Sequence, residues 1–234
     1  MKNKFKEVWI IDFEYSTDCN YLPNPICMVA KEIRTKRIIR LWEDQLLAGS
    51  KPPFLISSES LIVSFYSVAE ISCFLKLSWE LPKNNLDLFV EFRAFTNGIK
   101  HKSSLLDALS FFNLDSMAGA EKDEMRDLAM RGGPWSKSEK SDLLHYCEAD
   151  VIATESLFYA MEKMINFDKA LFRGRYMKAV AKIEENGIPI DTHTLGKIKA
   201  NWEKIQTQLV ETLDKNTKVY EGTTLKSEKF QSFL

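Results

Sequence analysis

Val8-Trp9-Ile10-Ile11-Asp12-Phe13-Glu14-Tyr15 is an apolar run, rich in β-branched and aromatic residues, that ends among two acids. It is too short for an ordinary helix and reads as a buried strand. Side chains alternate along a strand, so Asp12 and Glu14 point to the same face. Two adjacent carboxylates repel each other and are costly to take out of water, and a divalent cation is the usual compensation. The plainer alternative is a pair of solvated acids where a strand enters a loop. The remainder of the chain has to separate the two.

The 234 residues, 45% of them hydrophobic, suffice for a full core and allow one or two domains. Lys and Arg total 32 against 33 Asp and Glu, so a net charge of −1 leaves no global nucleic-acid footprint. A local basic patch beside an acidic site would vanish in that sum. Cys19, Cys27, Cys73 and Cys147 form no CxxC pair and no Cys/His cluster, and read as reduced thiols. The basic start MKNKFKEVWI is not a signal peptide, because acids interrupt its apolar run at once. With no stretch long enough to span a membrane, a cytoplasmic protein is expected.

Outward from the first strand, Ser16–Pro25 is turn-rich, with Asp18, Asn20, Pro23, Asn24 and Pro25. Ile26–Ile33 and Arg37–Trp42 read as strands joined by Arg34-Thr35-Lys36. Gly49–Pro53 is a loop, Leu61–Phe65 a strand, Val68–Leu77 a helix and Leu86–Val90 a further strand. Leu105–Phe112 and Lys122–Met130 carry helical spacing, and Asn97-Gly98 marks a turn. Ser136-Lys137-Ser138-Glu139 is a capping box, opening a helix expected to run to about Ile165. These elements give an α/β layer domain over residues 1–166. Phe172–Glu185 and Leu195–Leu213 look helical, with Asn186-Gly187-Ile188-Pro189 as a break. The chain stops at Phe230-Gln231-Ser232-Phe233-Leu234, in what reads as the middle of an amphipathic helix, which suggests a fragment.

The helix opened at Ser136 carries Tyr146 and Asp150, one turn apart and so on one face. Taken singly, each has a bland reading as a core aromatic or a solvated helix acid. Taken in order, Asp12-Phe13-Glu14 on the first strand, a further acid mid-chain and Tyr146-Cys147-Glu148-Ala149-Asp150 late on a helix resemble the DEDD-type 3′–5′ exonucleases. More closely, they resemble the proofreading exonuclease domain of family A DNA polymerases. The resemblance covers residues 6–166. The third motif is fairly specific in its setting, whereas a lone D-x-E is common.

The second motif departs from the family pattern of a strand ending in His-Asn, with an Asp about four residues later. Here Tyr66 stands in the Asn position and Glu70 in the Asp position of Ser64-Phe65-Tyr66-Ser67-Val68-Ala69-Glu70. Glutamate keeps the charge and can still hold a cation directly or through water. Asp87, on the next expected strand, is the rival, and Glu70 is favoured. His145, five residues before Asp150, stands where the sister subclass places a catalytic histidine. On a continuous helix Tyr146 lies about 40° from Asp150 and His145 about 140° away, which favours the tyrosine subclass.

The resemblance implies a ribonuclease H-like α/β fold, a mixed sheet flanked by helices, and two divalent cations, Mg²⁺ or Mn²⁺, about 4 Å apart. Asp12 would bridge both ions, Glu14 and Asp150 would hold the one that activates water, Tyr146 would orient that water, and Glu70 would support the second ion. Oxygen-only ligation argues against zinc. The expected activity is hydrolysis of single-stranded DNA 3′ ends to nucleoside monophosphates, in proofreading. RNA trimming uses the same carboxylates and remains an alternative, as does a degenerate fold kept as a DNA-binding or structural module, for which Tyr66 and Glu70 speak. Residues 167–234 resemble the start of a family A polymerase region, through Phe172–Tyr176 and Asn186–Asp191. The polymerase's own carboxylate motifs are absent, so the chain is not expected to synthesise DNA and reads as the front piece of a longer polymerase or as a truncated product of such a gene. Trp79 and Trp135 read as packing rather than stacking platforms. Arg126, Arg131 and Lys137 could meet phosphates or simply face water, and His101 and His193 have no partner spacing.

Overall fold

The structure is a computed structural model that describes residues 4–17, 22–97, 102–115 and 119–234. Asp18, Cys19, Asn20, Gly98 and His101 therefore lie outside the described residues. The chain divides into two compact units, Met1–Asn186 and Gly187–Leu234.

The first unit opens with β1 (Glu7–Thr17), β2 (Pro23–Glu32) and β3 (Ile38–Trp42), then the short helix α1 (Glu43–Ala48). β4 (Ser60–Ser64), α2 (Ser67–Lys76), β5 (Asn85–Asp87) and α3 (Leu88–Phe95) follow. α4 (Leu105–Phe111), α5 (Gly119–Arg131), α6 (Lys137–Met161) and α7 (Phe167–Asn186) complete it. The sheet order is β3-β2-β1-β4-β5. β1 runs antiparallel to β2 and parallel to β4, and β4 runs parallel to β5. This is the mixed α/β layer of the ribonuclease H-like class expected from the sequence.

β1 is central and buried on both faces, as its near-continuous apolar run requires. Val8 and Ile10 pack with Leu143, Cys147 and Val151 of α6, whereas Trp9, Ile11 and Phe13 pack with Phe74 of α2 and with Trp79. Alternation along β1 therefore sends Asp12 and Glu14 to the α6 face. The register slips between Glu14 and Tyr15, where β2 presents Pro25, which has no N–H to give the ladder.

The structure departs from the expected elements at several points. The strand expected over Leu86–Val90 ends at Asp87, because the Asp87 carboxylate accepts the N–H groups of Phe89 (3.0 Å) and Val90 (3.4 Å) and caps α3. A capping carboxylate thus converts the second half of an apolar run into a helix. α1 has no counterpart among the expected elements; its six residues bury only Leu46 and carry no sustained period. By contrast the capping box of α6 is formed, with Ser136 Oγ accepting from Glu139 N (3.2 Å) and Glu139 Oε2 from Ser136 N (2.7 Å).

The compact unit runs through α7, past the boundary expected at residue 166. α7 lies so close to β5 that a Cβ on Gly174 would sit 1.9 Å from the Asn85 carbonyl oxygen. Val68 and Ile71 of α2 pack with Ala181, Met177 and Val180 of α7, and Arg173 Nε donates to Glu91 of α3 at 2.7 Å. The second unit holds α8 (Thr192–Ala200), α9 (Trp202–Leu213), the two-stranded β6 (Tyr220–Glu221) and β7 (Thr224–Leu225), and α10 (Ser227–Phe233). The single helix expected over Leu195–Leu213 is thus two, parted at Asn201. No described helix is long and apolar enough to cross a membrane.

Candidate active site

Three elements converge on the C-terminal half of β1. β1 supplies Asp12 and Glu14, α2 supplies Glu70, and α6 supplies Tyr146 and Asp150. Ligand atoms of Asp12, Glu14 and Cys147 all lie within 4.8 Å of one another. The Cys147 thiol donates to the Asp12 backbone carbonyl at 3.3 Å, tying α6 to β1 directly beneath the acids.

The electrostatics are those of crowded, desolvated carboxyls. Burial, then the charge of Asp150, pushes Asp12 up to about 8. Burial and the neighbouring Asp12 raise Glu14 well above the carboxylate range. Glu70 is 3% exposed and is raised by burial and by Asp12 and Glu14 together. One of its oxygens accepts the Phe13 backbone N–H; the other, Oε2, is buried with no partner. A buried carboxylate oxygen left without a donor costs on the order of 1–3 kcal/mol unless something positive meets it.

The rival acid is differently placed. Asp87 accepts backbone N–H groups from Tyr66 (3.1 Å), Ser67 (2.9 Å), Phe89 and Val90, so its oxygens are occupied in joining the start of α2 to α3. Tyr66 itself takes a left-handed conformation, φ 69° and ψ 62°, at the N-cap of α2. That region is uncommon for a bulky side chain and suits asparagine far better.

α6 is continuous from Lys137 to Met161, ending short of Ile165, and this fixes the faces of its side chains. Tyr146 is buried and lies near Asp150, while His145 on the next face is exposed to solvent. Burial, then the charge of Asp150, raises the Tyr146 hydroxyl, which stays protonated. Asp150 has a further partner that sequence reasoning missed. Lys122 Nζ of α5 lies 2.6 Å from Oδ1 and 2.9 Å from Oδ2, and 5.6 Å from the centre of the Tyr146 ring. The pair is 28 residues apart in sequence, and no local pattern joins them.

Of the remaining candidates, Trp79 is buried and donates to the Gly49 carbonyl at 2.8 Å, a packing role. Trp135 packs edge-to-face on Trp42 at 5.5 Å. Arg131 pairs with Glu139 at 2.7 Å and so holds the start of α6.

The carboxylates of Asp12 and Glu14 suit a hard divalent cation by their oxygen donors, repulsion and burial, with the Cys147 thiol beside them. Among the described residues Glu70, with its orphaned oxygen, and Asp150 stand outside that group of ligand atoms. No protein-family profile matches the chain, and no curated protein sequence does. Solved structures do. A nuclease in its apo form superposes with a TM-score of 0.55 at 13% identity, over 78% of this chain and 86% of that one. The catalytic core of RRP6 from Trypanosoma brucei gives 0.53 at 11% identity, over 73% of this chain and 46% of that one. RNase D of Escherichia coli, an exoribonuclease involved in structured RNA processing, gives 0.51 at 13%, over 74% and 44%. The chain thus spans less than half the length of the last two, and at these identities the likeness is one of fold.

Proposed function

We propose that the chain is a metal-dependent 3′–5′ exonuclease that trims single-stranded nucleic acid from its 3′ end, with DNA as the leading substrate. The observation that carries this reading is the unpartnered Glu70 Oε2, buried within electrostatic reach of Asp12 and Glu14, on which Asp150 also acts. Asp12, Glu14, Glu70 and Asp150 would hold the cations, which when bound make a water nucleophilic and stabilise the charge that develops on the leaving oxygen. Asp12, Glu14 and Glu70 are all raised by burial, and so release protons as they take up positive charge. Tyr146, protonated and close to Asp150, would orient the attacking water. The tyrosine subclass accounts for a buried Tyr146 and an outward His145.

Deoxyribonucleotide specificity and a proofreading role rest on the resemblance of residues 172–191 to the joint of family A polymerases. RNA trimming is the second reading, favoured by the likeness to RNase D. Digestion of 5′-labelled DNA and RNA oligonucleotides of one sequence, with Mg²⁺ or Mn²⁺, tests both. A ladder shortening from the 3′ end, abolished in Asp12→Ala and in Glu70→Ala, is expected. Activity that survives Glu70→Ala and disappears in Asp87→Ala would move the second-motif role to Asp87. No digestion of either polymer would favour a degenerate fold retained for binding.

A further inference from the structure

Past the acids, at the end of β1, a recess of about 470 Å³ opens between the sheet and the start of α6. Strand register fixes its place. Glu14 pairs with Cys27 of β2, and Cys27 with Trp42 of β3. Trp42, which lines the recess, therefore stands level with Glu14, two strands or about 10 Å across the sheet. Ser16, also in the lining, lies about 7 Å beyond Glu14 along β1. Cys27 and Trp42 belong to the core on the α6 side, the side to which Glu14 points.

The lining is aromatic, with a few polar groups of definite kinds. Trp135 packs edge-to-face on Trp42, and its indole Nε1–H is buried with no acceptor among the described residues. Lys140 Nζ stands 5.2 Å over the Trp42 ring centre. Glu43 and Asn24 complete the polar part of the lining. An aromatic corner, an unused N–H donor, a carboxylate acceptor and a cation match a nucleobase with its phosphate. Such a ligand is a flat ring with lone pairs and amino groups on its edge and an anion beside it. An apolar protein side chain would leave the indole N–H unanswered.

We infer that this recess is a nucleobase site, in which the base lies against Trp42, Trp135 Nε1 donates to a ring acceptor and Lys140 meets the adjoining phosphate. The inference rests on reading the chain as acting on nucleic acid, and it adds a base contact outside the acid cluster. The base can belong to the strand whose 3′ end lies at the acids, or to a free mononucleotide.

Fluorescence anisotropy of short 5′-labelled single strands on the full chain, in chelator so that nothing is cut, reads the site without turnover. Strands with an abasic last, second-last or third-last nucleotide are expected to lose about tenfold in affinity at one of these positions only, as loss of a stacked base implies. This arm needs no variant to fold. Trp135→Phe, which keeps a packing ring and removes the N–H, and Lys140→Met should each weaken the intact strand about three- to tenfold. Trp135→Phe should add little to the loss already caused by the sensitive abasic position. If no abasic position matters but a purine mononucleotide binds and is weakened by Trp135→Phe, the site stands and its occupant is the free nucleotide. Strands bound tightly by the native chain, with no abasic position and neither variant altering the affinity of strand or mononucleotide, would overturn the inference and leave the exonuclease reading in place. A native chain that binds no strand at all would overturn that reading itself.

Discussion

Glu70 carries the clearest conflict between stability and chemistry. Its carboxyl is buried and raised by burial and by Asp12 and Glu14, so ionising it in the folded chain is costly. Glu70→Gln keeps the shape and removes that cost. With chelator present, urea unfolding should show the variant more stable at pH 8 by about 1–3 kcal/mol, the gain shrinking towards pH 5. The same variant should lose the proposed nuclease activity. Tyr66 is a second such position, since its left-handed backbone is unfavourable for a side chain of that size. Tyr66→Asn is expected to raise stability by about 0.5–1 kcal/mol, read as a higher thermal midpoint. At this scale Asp12, Glu14, Tyr146 and Asp150 were legible because their faces follow from the period of a strand and of a helix. Lys122 was not, because its contact with Asp150 depends on how α5 is laid beside α6. The occupation of Asp87 was hidden for a related reason: two of its four donors come from the chain 20 and 21 residues earlier.

Among the elements, α7 shows most plainly how a small residue sets a distance. Without a side chain at Gly174 the helix rests on the β5 backbone, and a methyl there would overlap the Asn85 oxygen. Gly174→Ala should therefore destabilise the unit by about 2–4 kcal/mol, seen as an earlier denaturation midpoint, with no residue of the acid cluster touched. The start of α6 was readable from Ser136 and Glu139, since a capping box is a local device. β5 and α3 were not separable in the sequence. Leu86–Val90 is uniformly apolar apart from Asp87, and only the direction of that carboxylate's hydrogen bonds divides strand from helix. The extent of the layer unit was likewise hidden, because α7 belongs to it through packing against α2 and β5 rather than through any change in composition.

For the molecule as a whole, the raised carboxyls link folding to both pH and metal. An unfolded Asp ionises near pH 4, whereas Asp12 in the fold does so at about 8. Between those values the unfolded chain holds fewer protons, so in chelator the thermal midpoint should fall as pH rises from 5 to 8. Saturating Mg²⁺ should flatten that slope and raise the midpoint, by about 2.7 kcal/mol of stability at a hundredfold excess over Kd. A midpoint indifferent to both would contradict a cation-holding cluster.

Cys27, Cys73 and Cys147 are each fully shielded in the first unit, and burial also holds the thiols of Cys73 and Cys147 in their unreactive protonated form. In a Cys19→Ser background the molecule therefore carries its own clock. A maleimide can label these three thiols only when the fold opens, so the labelling rate counts openings under native conditions, and added Mg²⁺ should slow it.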